Sequence, residues 1–118
     1  MSWKITVTVP HAKPVFDRSK SGLRRATGGI LPPGSYDFKV GDTYYVDCVV
    51  TSETEGKIKT VVLINGEIAN SWEDEIGPDI TVSHTHTDMF TEEGTYEISM
   101  AVYYWDGSQY VKNDEYGC

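Results

Sequence analysis

"KIKTVVLINGEIAN", residues 57–70, holds two apolar runs joined by Asn65-Gly66. Both residues of that dipeptide tolerate positive φ, as a type I′ turn requires, and such a turn matches the twist of two antiparallel strands. Residues 57–64 and 67–72 are therefore predicted to pair as a hairpin. Upstream, "SYDFKVGDTYYVDCVVTSE" alternates, with Tyr44, Val46, Cys48 and Val50 on one face. Downstream, the acidic stretch "WEDEIGPD" reads as a bend and residues 80–90 as a strand. Residues 95–105 then put Tyr96, Ile98, Met100, Val102 and Tyr104 on one face, and Asp106-Gly107 turns the chain into "SQYVKNDEY". At the other end, "WKITVTV" sets Trp3, Ile5, Val7 and Val9 against Lys4, Thr6 and Thr8, which predicts a first strand over 3–9. Seven or eight short strands with regular turn signals predict an all-β, two-sheet antiparallel sandwich.

Composition agrees with that class. The 118 residues include eight Tyr and three Trp, side chains that pack well on pleated surfaces. A chain of this length is expected to form one folded unit. No stretch approaches the roughly 18 apolar residues of a membrane span, and the N-terminus alternates where a secretory signal would be continuously apolar. Cys48 and Cys118 lie too far apart in sequence for a zinc-binding spacing, and whether they pair stays open.

The net charge of −8 is unevenly distributed. Residues 1–41 carry Lys4, Lys13, Arg18, Lys20, Arg24, Arg25 and Lys39 against Asp17 and Asp37, a balance of +5. Residues 42–118 carry sixteen acids against Lys57, Lys59 and Lys112, a balance of −13. The predicted organisation is a first strand and basic, Pro/Gly-rich arm over 1–41, followed by a sandwich body over 42–118. An acidic body repels nucleic acid, so the basic arm is expected to bind acidic protein surface, its own or a neighbour's.

"VGDTYYVDCVVTSETEG", "VVLINGEIA", "EEGTYEISMAVYYWDG" and "YVKNDEY" together make residues 42–118 resemble an immunoglobulin-like sandwich of the CARDB or PKD kind. The most specific piece is Glu92-x-Gly94-x-Tyr96-x-Ile98, a corner in which the resemblance implies that the tyrosine hydroxyl is tied to backbone. The chain departs from the PKD pattern in lacking its Trp-Asp-Phe-Gly-Asp-Gly stretch, and from both families in its basic arm. The resemblance implies a spacer, decoration or binding unit of a surface, adhesive or virion protein. Fold alone does not establish function, which rests on sites.

Three candidate sites follow. His84 and His86 share strand parity with Cα atoms about 6.6 Å apart, so both could ligate one metal ion with Asp88 or His11 as a third ligand. Tyr103 and Trp105, with Tyr45 on the outer parity of an earlier strand, form a candidate aromatic stripe for carbohydrate or for a neighbouring subunit. Lys13, Arg18, Lys20, Arg24 and Arg25 form a candidate assembly arm. The carboxylates of Glu73, Asp74 and Glu75 read as a solvated charge run. No phosphate loop, nucleophile elbow or Cys-His arrangement occurs. The expectation is a non-enzymatic structural protein, without a cofactor, that self-associates or decorates a virion or cell-surface particle through its arm. A carbohydrate-binding or metal-binding module is the competing expectation.

Overall fold

A computed structural model describes residues 2–8 and 10–117. Nine strands occur among them: β1 (Val15–Phe16), β2 (Gly22–Arg25), β3 (Ile30–Leu31), β4 (Thr43–Thr51), β5 (Gly56–Ile64), β6 (Glu67–Ile76), β7 (Val82–Met89), β8 (Ile98–Trp105) and β9 (Tyr110–Tyr116). All described pairings are antiparallel. One sheet is built around β4, which pairs with β7 along one edge and with β1 and β2 along the other, β3 lying outside β2. The second sheet runs β6-β5-β8-β9.

The hairpin that decides the fold is present. Asn65 and Gly66 have φ of 53° and 80°, and β5 and β6 pair from Gly56↔Ile76 to Ile64↔Glu67. Alternation then sets the core: Tyr44, Val46, Cys48 and Val50 of β4 face Ile58 and Val62 of β5 and Met100 and Val102 of β8, all buried. The corner also forms, with the Tyr96 hydroxyl donating to the Glu92 carbonyl at 2.6 Å. A two-sheet immunoglobulin-like sandwich is thus what the pattern dictates.

Two elements differ from expectation. The acidic "WEDEI" is no bend; it continues β6, with Lys57 opposite Glu75 and Lys59 opposite Glu73. Facing charges of opposite sign let a carboxylate-rich segment remain in a ladder. The N-terminal region inverts the prediction. Residues 2–8 form no strand, while the stretch read as a basic arm supplies β1, β2 and β3 and buries Ala12, Pro14, Phe16 and Ser21.

The reason lies in β1 and β2, two halves of one strand beside β4 split by the turn Asp17–Ser21. Both halves pair with β4. Across the break, Ser21 Oγ accepts from Val49 N at 2.9 Å and donates to Val49 O at 3.2 Å, so a side chain stands in for missing ladder bonds. Strand segments this short show no readable periodicity. Before β1 the chain crosses the start of β5, where Ala12 N would lie 2.8 Å from a Cβ on Gly56. Only glycine admits that approach.

Val9 and Cys118 lie outside the described residues, so the last position of the predicted first strand and a Cys48–Cys118 pairing are not described. Cys48 itself is buried and, among the described residues, a free thiol.

Candidate functional site

The predicted metal ligands lie on the inner parity of β7, but each histidine has separate partners. His84 Nε2 sits 2.7 Å from Asp74 Oδ2, and its ring stacks on Trp72 at 4.6 Å with the planes 1° apart. His86 is buried, with Tyr44 Oη and Asn70 Nδ2 each at 3.4 Å from one of its ring nitrogens. His11 is elsewhere, against Tyr104 at 5.8 Å between ring centroids. Asp88 is exposed, and its Oδ1 accepts from Met89 N. Among the described residues no group of three His, Cys, Asp or Glu side chains is placed to hold a metal ion. Parity placed the two imidazoles on one face, as expected, and each meets its own partner on the facing strand β6, Asp74 for His84 and Asn70 for His86.

The aromatic stripe is divided between sheets. Tyr103 lies opposite Lys59 in the β5–β8 ladder, and Trp105 opposite Tyr110 in the β8–β9 ladder. Lys57 Nζ lies 5.4 Å from the Trp105 centroid, and Tyr110 meets the same ring edge-on at 5.0 Å. Tyr45 belongs to the other sheet, under the Arg24 guanidinium at 4.4 Å. The three rings do not form one surface.

The arm residues are brought onto the chain's own body. Arg18 grips Asp114 with two bonds of 3.1 Å, adds the Glu115 carbonyl at 3.0 Å and lies over the Tyr116 ring. Arg24 pairs with Asp47 at 2.8 and 3.2 Å, and Arg25 donates to the Asp37 carbonyl while covering Phe38. Lys13 is held by its backbone N–H to Ser52, and Lys20 by its own to the Asp17 carbonyl. Burial would raise the Asp114 carboxyl, but bonds from Arg18 and the Phe16 N–H outweigh it and hold it below the ordinary value of 3.8. Asp47 behaves likewise, with burial overcome by Arg24 and Thr85. Charge complementarity between the two parts is real, and it closes the molecule on itself.

Two features escaped the sequence reading. Residues 2–8 stand away from the body, with Trp3, Ile5 and Val7 exposed at 93%, 81% and 87%. The body also has an open cleft of about 1140 Å³ between the sheets, lined by Leu23, Leu31 and Phe38 from one side and Ile98, Met100 and Tyr116 from the other. Its charged lining is Asp37, Glu92, Glu93 and Glu97 against Lys39, a net acidic set. The alternation at 3–9 was legible, but that it lacks a partner strand was not.

A scan against models of protein families finds no match, and a search of curated proteins finds none either. Among solved structures the chain is similar to the crystal structure of the CARDB domain of the PF1109 protein from Pyrococcus furiosus, solved in complex with di-metal ions. The likeness has a TM-score of 0.55 at 15% identity and covers 97% of this chain and 89% of that one. At that identity the comparison speaks to fold. The chain has the fold of an immunoglobulin-like, CARDB-type β-sandwich.

Proposed function

We propose that this chain is a non-catalytic structural module that self-associates or decorates a larger particle, and that residues 2–8, in place of the basic stretch, make the contact. The observation that carries this reading is the row Trp3, Ile5 and Val7, three large apolar side chains on one parity of an extended segment and almost wholly exposed. Single exposed apolar residues are ordinary on protein surfaces, whereas a contiguous row marks an interaction surface. An extended segment with unused backbone N–H and C=O groups associates most simply by adding to the edge of a sheet.

Sedimentation of the full chain and of a chain lacking residues 1–9, over a wide range of concentration, tests this. The full chain should exceed the monomer mass and the truncated chain should not. Two monomers of ordinary mass at every concentration would remove the reading.

A further inference from the structure

We propose that residues 3–8 of one copy enter the cleft between β2–β3 and β8–β9 of the next, so that copies join head to tail. This rests on the assembly reading above and names its partner as a second copy of the chain.

The cleft is the part of one flank where the two sheets are left unsewn. Further along the same flank, β1 closes the gap: Phe16 N–H donates to Asp114 Oδ2 at 2.9 Å and Asn113 Nδ2 to the Pro14 carbonyl at 2.8 Å. Beyond β2, the outer strand β3 has only two residues, and core side chains such as Val46 and Met100 line the opening. β3 and β9 end their sheets there, each with one backbone edge unpaired among the described strands. A bare edge beside partly exposed apolar side chains such as Leu23, Leu31 and Ile98 is the setting in which a strand can be added from outside.

Residues 3–8 suit it in length, pattern and charge. Six extended residues span about 20 Å. Trp3, Ile5 and Val7 would face the apolar floor, while Lys4 would lie on the other side toward a rim that includes Glu92, Glu93 and Glu97.

The donor must be another copy because tail and cleft lie at opposite ends of the body. The tail leaves where Ala12 crosses Gly56 and Lys13 N–H binds Ser52, at the β4–β5 connection. The cleft opens at the other end of those strands, beside Gly66, Phe90, Ile98 and Gly117. Nine-residue strands separate the two ends by about 30 Å. Val7 is three residues from Pro10 and reaches only about 10 Å from it. Residues 2–8 are exposed throughout, and the principal-axis extents are 72 × 25 × 21 Å. A tail at one end and its berth at the other define a heterologous contact, which propagates as a linear chain unless rotation closes it into a ring.

The test combines sedimentation with disulfide trapping in a Cys118→Ser background. Wild-type chain should form a concentration-dependent ladder beyond dimer. Ile5→Asp, which alters only an exposed residue, should weaken association roughly tenfold or more. Chains carrying Val7→Cys, mixed with chains carrying Ser35→Cys, Thr95→Cys or Ser99→Cys, should link to at least one of the three under mild oxidation. Association abolished by Ile5→Asp, but with no link to any cleft position, would overturn the cleft and leave the assembly reading standing. Growth that stops at dimer would overturn the head-to-tail order. Monomers at every concentration would overturn both readings.

Discussion

Thr60 points from β5 into the core with no exposed surface, and among the described residues its Oγ1 has no hydrogen-bond partner. A buried hydroxyl without a partner keeps its desolvation cost unreturned, and Val has nearly the same shape without that cost. Thr60→Val should therefore raise stability by about 1 kcal/mol, read from the urea midpoint at unchanged slope. Tyr96 is the opposite case. Its hydroxyl spends its bond on the Glu92 carbonyl, so Tyr96→Phe should cost about 1 kcal/mol by the same measurement. That bond was legible in residues 92–98, because an acid-x-Gly-x-Tyr spacing encodes a local contact four residues long. The Thr60 orphan was not, since a threonine in an alternating strand is ordinary until its neighbours in space are known. Cys48 belongs with the core as well: burial first, and then the nearby Asp47 charge, push its thiol up to about 12.

The split strand β1–β2 is held to the body by side chains as well as by ladder bonds. Asp114 gathers Arg18 and the Phe16 N–H, and so ties β1 of one sheet to β9 of the other. Charge-assisted bonds of this kind exceed neutral ones, but Arg18 is half exposed, which tempers the gain. Asp114→Asn should cost about 1–2 kcal/mol. The pH dependence follows from the direction of the shift. Because the folded carboxyl lies below 3.8, the unfolded chain takes up its proton first as the solution is acidified. The contribution of Asp114 is thus complete above the ordinary carboxylate range and disappears as pH falls through the folded value. Urea unfolding followed below about pH 5 should show a shallower loss for Asp114→Asn than for wild type.

As a whole, the molecule is longer than a compact chain of its size. Its radius of gyration is 17.3 Å, against about 13.5 Å expected for 118 residues. The excess comes from a segment that buries almost nothing. Removing residues 1–9 should therefore leave unfolding free energy within about 0.5 kcal/mol at low concentration while shrinking the hydrodynamic radius. A larger loss of stability would mean that the tail packs on its own body. The charge asymmetry of the two parts is likewise a property of the whole: it looks like attraction between molecules, but much of it is spent within one, on Arg18–Asp114 and Arg24–Asp47.

The amino-acid sequence by itself determined β4, β5, the first half of β6, β7 to β9, the Asn65-Gly66 hairpin and the tyrosine corner, because alternation, turn residues and a short hydroxyl contact are local properties. Tertiary structure alone decided where the N-terminal third goes. Val15–Phe16 and Gly22–Arg25 are too short to carry a period, and their stability comes from β4, Asp47 and Asp114, far away in the chain. The clear period at 3–9 has the reverse fate: a pattern states which face wants burial, and only the folded body shows that β1 and β2 already occupy the free edge of β4.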